Sequence, residues 1–313
     1  MMLNQKTRII FMGTPDFSNQ VLLDLIKNEY NIISIYTQPD KKVGRKQIVE
    51  KSPVKITAEK NNISVFQPTK LKEEVENIND QNPDLIIVAA YGKIIPQEIL
   101  DIPRLKCINI HPSLLPKYRG ASPIQNTLLN GETETGTTIM LMAKTIDAGD
   151  ILSQIKISVD PKEKLPEFST RLASLSSNLL IKILPDWIDE KIKPKKQANA
   201  DASFCQMLNK EDGQINWNNS AESVFNRYRA FYPWPGIFTF WNSQRLKISE
   251  IDLTTENFPE NEIGIVFNSN EKTFVKTGKG AIELKKVQLE GKKEVEIKNF
   301  INGYPQFVKS VLK

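Results

Sequence analysis

Through residues 8–187 short apolar runs alternate with amphipathic stretches, residues 191–201 are polar, lysine-rich and without period, and five short strand-like runs follow. Together these predict an α/β chain: a Rossmann-like, doubly wound sheet followed by a smaller, OB-like β-barrel. The expected boundaries are 1–189 for the first domain, 190–205 for a basic linker and 206–313 for the second domain. With 313 residues and 40% apolar content, two ordinary buried cores are within reach.

The elements follow in order. Residues 8–12 read as a strand because Ile9, Ile10, Phe11 and Met12 form an unbroken apolar run. Gly13-Thr14-Pro15-Asp16-Phe17 then reads as a glycine turn, a threonine cap and a proline at the first helical position, opening a helix over 17–28. One glycine and one proline depart from GxGxxG, which argues against a dinucleotide site. Strands are expected at 32–37, 65–66, 84–90 and 107–111, and helices at 53–61 and 71–81. Ser122-Pro123, a cap residue and a first-turn proline, opens a helix to Asn130. In a doubly wound sheet, functional loops lie at strand C-termini, where His111 and Tyr91-Gly92 both fall. Residues 165–187 have a helical pattern with Pro185 near its end. Beyond the basic stretch come a helix over 220–231 and strands at 237–241, 246–253, 263–267, 273–276 and 281–289.

Composition narrows the class. No apolar run approaches 18 residues, so no membrane span is expected, and the start lacks the layout of a signal peptide. Cys107 and Cys205 have no CxxC partner, which predicts two reduced, buried thiols and a cytoplasmic protein. One histidine and two scattered cysteines supply too few ligands for a transition metal, so no metal is expected. The net charge of +5 is compatible with a polyanionic partner. Its weight is reduced by a chain rich in Lys, Asn and Ile throughout.

The only histidine sits in Asn109-Ile110-His111-Pro112-Ser113-Leu114-Leu115-Pro116-Lys117-Tyr118-Arg119-Gly120. Imidazole is the one side-chain type that titrates between pH 5 and 8 without perturbation. On a strand, Asn109 and His111 project from the same face, and a carboxamide donor beside a titratable ring suits oxyanion stabilisation and proton transfer. An isolated histidine at a strand end is ordinarily structural; the Asn-x-His spacing and the proline-braced loop behind it favour the functional reading. After the apolar run Thr138–Met142, the stretch Asp147-Ala148-Gly149-Asp150 has the composition of a strand-to-strand turn.

Asn109, His111, the Ser-Leu-Leu-Pro-Lys-Tyr-Arg-Gly-Ala-Ser-Pro loop and Asp147, in that order, resemble the signature of the 10-formyltetrahydrofolate-dependent formyltransferases. The Gly13–Phe17 turn, Thr37-Gln38-Pro39-Asp40 with Gly44-Arg45, Ser52-Pro53-Val54-Lys55, and Arg229-Ala230-Phe231-Tyr232-Pro233-Trp234-Pro235-Gly236 extend the resemblance over nearly the whole chain. They point to the branch whose acceptor is methionyl-initiator tRNA. The resemblance implies that Asn109, His111 and Asp147 are catalytic. It also implies that Ser113, Leu114, Leu115 and Pro116 line the folate pocket, with the sheet edge around Ile87 and Tyr91 contributing apolar and backbone contacts. The loop over 38–52, with Lys41, Lys42, Arg45 and Lys46, would enter the acceptor-stem groove, Arg45 beside its glycine. Where family members often continue with a second glycine, Lys46 stands here. Lys193, Lys195 and Lys196 of the linker and Arg229 of the second domain would add tRNA contacts, and a monomer is the expected working form.

Three other readings are open at this point. An amino-sugar nucleotide formyltransferase would share the Asn-x-His and Asp chemistry, and the basic 38–52 loop argues for RNA instead. A glycinamide ribonucleotide formyltransferase is a shorter, single-domain protein, which residues 200–313 contradict. A tRNA-binding module with a dead transferase domain would not need Asn109, His111 and Asp147 intact.

Overall fold

The computed structural model describes residues 6–43, 48–254, 256, 258 and 262–313, and they form two compact units. The first unit takes residues from Met1–Pro123, Glu134–Ser158 and Phe168–Gln206; the second takes Ile124–Thr133, Val159–Glu167 and Met207–Lys313.

In chain order the first stretch contains β1 (Ile9–Gly13), α1 (Asp16–Lys27), β2 (Ile32–Tyr36), β3 (Lys41–Val43), β4 (Ile48–Glu50), α2 (Pro53–Lys60) and β5 (Ser64–Phe66). Then come α3 (Val75–Asp80), β6 (Leu85–Ala89), α4 (Gln97–Leu100), β7 (Cys107–His111), β8 (Arg119–Gly120) and α5 (Pro123–Leu129). β9 (Glu134–Leu141), β10 (Ile151–Ser158), the long α6 (Leu165–Ile188) and β11 (Phe204–Cys205) complete the run. Seven strands form one sheet in the order β10-β9-β7-β6-β1-β2-β5. The five from β7 to β5 are parallel, and β9 and β10 add an antiparallel edge. Every residue of β1 and β6 is buried, as expected for parallel strands covered on both faces.

Local chemistry explains most boundaries. Ser52 caps α2 by accepting the Lys55 amide at 3.1 Å. Thr14 does not cap α1 as expected; its hydroxyl donates to the Tyr91 carbonyl at 3.2 Å and ties the first turn to the end of β6. Residues 71–81, expected as one helix, begin with a 3-10 turn over Leu71–Glu74 before α3. The basic loop over 38–52 contains a short antiparallel pair, β3 with β4. Its base is fixed by Asp40, Lys55 and Gln67: Lys55 Nζ donates to Asp40 Oδ2 at 2.7 Å and to Gln67 Oε1 at 2.6 Å, and Gln67 Nε2 donates to Asp40 Oδ1 at 2.7 Å. Both cysteines are free and buried, as expected.

The expected linker departs most from its reading. Residues 190–205 belong to the first unit and are laced to it by backbone hydrogen bonds. Ile151 and Lys195 exchange both, N to O at 2.7 and 2.9 Å. β11 pairs in parallel with β8, and the Arg119 amide donates to Ser203 O at 2.8 Å. A polar, lysine-rich composition reports solvation of the side chains and says nothing of where the backbone bonds go.

The second unit holds α7 (Ala221–Phe231), β12 (Ile237–Trp241), β13 (Gln244–Leu253), β14 (Val266–Ser269), β15 (Lys272–Lys276), β16 (Ala281–Leu289), β17 (Val295–Glu296) and α8 (Ile297–Gly303). Its antiparallel sheet runs β12-β13-β16-β15-β14, with β17 on β16. The two edges are bridged by residues 309–313. Phe240 N donates to Lys313 O at 2.9 Å, and Val266 N donates to Ser310 O at 2.9 Å. Edge groups that would otherwise stand open are thereby paired. Trp241 makes edge-on contacts with Phe300 and Phe307, at ring separations of 5.7 and 5.3 Å, which seats α8 and the turn after it on the sheet. α8 was not expected from the sequence; seven residues carry too little helical periodicity to stand out.

Candidate active site

Two residues of the site are carried by β7. Asn109 is paired in register between Val88 of β6 and Met140 of β9, and His111 lies opposite Thr138. Their spacing puts both side chains on one face of the sheet. The His111 ring is buried, and its Nε2 lies 2.8 Å from the Tyr118 carbonyl oxygen. A carbonyl only accepts, so Nε2 carries the hydrogen and Nδ1 is left for exchange. Asn109 is half-buried, and its carboxamide makes no hydrogen bond to a described residue.

Asp147 comes from the turn between β9 and β10 and has a left-handed backbone, φ 50°. Its Oδ2 lies 3.6 Å from His111 Nδ1 and accepts the Gly120 amide at 2.8 Å. The separation from the ring exceeds a formed hydrogen bond, so the pair must close by a few tenths of an ångström, about 0.4–0.9 Å, before a proton passes directly between them. Because β9 is antiparallel to β7, its last residue, Leu141, lies beside Ile108, three residues before His111. The turn must therefore double back by roughly 10 Å, at ~3.3 Å per residue, to bring Asp147 to the ring. Gly149 makes that possible, since a Cβ there would collide with the Leu141 carbonyl.

The loop after His111 is bolted to the antiparallel edge of the sheet. Thr138 Oγ1 donates to Ser113 O at 2.7 Å and accepts the Leu115 amide at 3.1 Å. Gln154 Nε2 donates to Leu115 O at 2.8 Å, and Ser113 Oγ donates to Lys117 O at 2.6 Å. Ser113 and Leu115 are buried, while Leu114 and Pro116 keep partial exposure beside them.

This arrangement, an amide without a partner among the described residues and an imidazole on one strand, with a carboxylate held by a backbone N–H, suits acyl transfer to a nitrogen. Residues 7–184 match the formyl transferase family, and residues 207–305 match the formyl transferase C-terminal domain. The chain belongs to the formyl transferase family. The methionyl-tRNA formyltransferase of Caldicellulosiruptor saccharolyticus is 44% identical over 302 residues, covering 95% of this chain and 96% of that protein. That of Staphylococcus aureus is 40% identical over 301 residues, covering 95% and 96%. Among solved structures, the N-formyltransferase from Helicobacter canadensis in complex with folinic acid and dTDP-3-aminofucose superposes with a TM-score of 0.68 at 22% identity, covering 89% of this chain and 98% of that one. HypX from Aquifex aeolicus, in complex with tetrahydrofolic acid, gives 0.65 at 17% identity, covering 97% and 48%. At such identities these two share the fold.

In this formyl transferase the other expected site residues are distributed unevenly. Ile87 and Tyr91 are core residues with side chains sealed from solvent. Ile87 sits mid-strand between Phe11 and Ile108. The Tyr91 ring packs with Met12, Tyr36 and Ile95, and burial pushes its hydroxyl pKa up to about 12. Their side chains therefore cannot border a ligand as expected. The Tyr91 carbonyl is already taken by two donors, Thr14 Oγ1 at 3.2 Å and Gln38 Nε2 at 3.0 Å, so the exposed backbone at this strand end is that of Gly92.

Arg229 is also corrected. It was expected to meet tRNA, but it is buried in the second unit: Nε donates to Asn226 Oδ1 at 3.0 Å, Nη1 to Asp160 O at 3.0 Å and Nη2 to Leu128 O at 3.4 Å. Three of its five N–H donors are spent on protein oxygens and the side chain is buried, so the guanidinium is not presented to a phosphate, and its burial lowers its pKa. Lys41, Lys42, Lys193, Lys195 and Lys196 are exposed. Arg45 and Lys46 lie outside the described residues.

Sequence reasoning missed the supports of the site: the Gly120 amide, Thr138, Gln154 and Gln197. Gln197 had one weak signal, as the first amide side chain after the lysines of 191–196.

Proposed function

We propose that this chain is a methionyl-tRNA formyltransferase, moving the formyl group of 10-formyltetrahydrofolate to the α-amine of methionyl-initiator tRNA. The observation that carries this reading is the 40–44% identity to methionyl-tRNA formyltransferases across both units. The folate is written as a substrate. The exposed parts of the 113–116 loop and the backbone at Gly92 are the groups of this chain that would hold it.

A new C–N bond to the α-amine forms, the C–N bond to the donor breaks, and one proton moves from the attacking to the leaving nitrogen. As the amine attacks, negative charge grows on the formyl oxygen, and Asn109 Nδ2–H is a donor on that face without a partner among the described residues. Removing one such donor typically lowers turnover by about 10²–10³. Asp147 receives the proton of the attacking nitrogen, and the Asp147 carboxylate with His111 Nδ1 passes it on. The Tyr118 carbonyl keeps the ring in the tautomer whose Nδ1 faces the carboxylate.

On this reading the division of labour follows the chain: chemistry in the first unit, and tRNA contacts from the exposed lysines at 41–42 and 193–196. A monomer working in the cytoplasm completes the proposal. The deciding experiment is incubation with 10-formyltetrahydrofolate and charged initiator tRNA, scored for formyl-methionine. Formation of formylmethionyl-tRNA supports the reading; formylation of an amino-sugar nucleotide instead reassigns the acceptor and keeps the catalytic residues.

A further inference from the structure

Asp147 has to be delivered to His111 by a turn that doubles back on itself and has left-handed backbone at its key residue. A side chain from outside that turn holds it: Gln197. Its Nε2 donates to two backbone oxygens of the turn, Asp147 O at 2.9 Å and Gly149 O at 2.7 Å. Its Oε1 accepts from Arg119 twice, from Nη2 at 2.7 Å and Nε at 3.1 Å. Arg119 is buried, and its Nη2 also reaches Asn199 Oδ1 at 2.8 Å. The residue after Arg119 closes the circuit, because the Gly120 amide binds the Asp147 carboxylate. Both ends of Asp147, carboxylate and carbonyl, are therefore referred to Arg119-Gly120, one directly and one through the Gln197 amide. Lysines flank Gln197 on its N-terminal side, yet none could replace it: an ammonium only donates and could not accept from Arg119.

We infer that Gln197 is a positioning residue that sets the Asp147 carboxylate against His111, so that the lysine-rich segment is a structural part of the active site. The inference rests on the reading of Asp147 as a catalytic group. It gives the segment two faces with separate duties. Exposed lysine side chains at 193, 195 and 196 face solvent, while Gln197 and the Lys195 backbone hold the first unit.

The two halves of the amide can be tested apart. Gln197→Glu keeps an acceptor for Arg119 but loses the N–H pair and turns a carboxylate toward two carbonyl oxygens. Gln197→Met removes both halves at similar length. Asn199→Ala removes only the second acceptor of Arg119. In the full chain, kcat and KM for both substrates, the thermal midpoint, and hydrogen exchange at the Ala148 amide are measured. We expect both Gln197 variants to lose about 10–100-fold in kcat, the scale of an ångström-sized misplacement. Their KM values should stay within about threefold, with faster exchange at Ala148, and Asn199→Ala should stay within about twofold of wild type. Wild-type kcat in Gln197→Glu overturns the inference. So does a loss in which kcat, KM and thermal midpoint move together, or a failure of both variants to fold, since a general structural role would do the same. If the wild type formylates an amino-sugar nucleotide rather than charged tRNA, the functional reading fails instead. The same kinetic split is then taken with that acceptor, and exchange at Ala148 reports the clamp in either case.

Discussion

The two sides of the site are built on different principles. Asn109 and His111 stand on an inner strand of the sheet, hydrogen-bonded to β6 on one side and to β9 on the other. Asp147 stands on a turn that owes its place to an amide N–H, a glycine and a glutamine far along the chain. Rigid elements hold a catalytic group by their own ladders, whereas a loop needs tethers from elsewhere. The strand side should therefore fail only in chemistry when altered, and the turn side should fail also when residues that touch no substrate are changed.

The largest effects fall on the three groups themselves. Asn109→Ala, His111→Ala and Asp147→Ala should each lower kcat by about 10²–10⁴ while circular dichroism and folate binding persist. Near-native turnover in His111→Ala would remove the strand side from the chemistry. Next comes Gly149→Ala, which forces the turn off the Leu141 carbonyl. A loss of about 10–100-fold in kcat is expected, with little change in KM. A fully active variant would show that the turn needs no close approach there.

The lysine-rich segment sharpens the contrast at smaller amplitude. Replacing Lys193, Lys195 and Lys196 by Gln should leave kcat at saturation unchanged and weaken tRNA binding. Each phosphate left without its lysine should reduce the salt slope by about 0.7–0.9; an unchanged slope would take the segment off the RNA. The smallest effect concerns the tie beneath β3 and β4. Hydrogen bonds from Lys55 and Gln67 hold the Asp40 carboxyl below the usual carboxylate range. A depressed carboxylate stabilises the fold at pH above its unfolded value and loses that contribution as pH falls through the folded value. The thermal midpoint of Asp40→Asn should thus lie below wild type at pH 7 and converge with it below about pH 4. A constant gap across that range would mean the charge of Asp40 does not matter.

What was legible in the sequence follows the same division. Unbroken apolar runs revealed β1 and β6 because a strand covered on both faces leaves no other pattern, and the i, i+2 spacing in β7 put Asn109 with His111. The Asp147 turn was visible as a turn, but its supports were not. Gln197 and Gly120 act through bonds between residues 27 to 50 positions away from those they hold, and no local periodicity encodes such pairs. Arg229 misled for a related reason: its motif signalled importance, and only the folded structure reveals that its guanidinium is buried against Asp160, Leu128 and Asn226. Composition also named residues 190–205 a linker because lysine reports solvent, while the backbone of that stretch is committed to β8 and Ile151.

The interleaving of the two units along the chain also bears on how chimeras could be made. Residues 124–133 and 159–167 belong with 207–313, although they are inserted between segments of the first unit. A crossover between relatives at Gln206 and Met207 would look clean on paper, yet it would import α7 without the carbonyls of Leu128 and Asp160 that receive Arg229. It would also separate Lys164 from the rings of Tyr228 and Tyr232 that lie 4.9 and 4.5 Å from its ammonium. A graft that carries all three segments keeps those partners together, so transplanting the second unit calls for five junctions where a map of contiguous domains would suggest one.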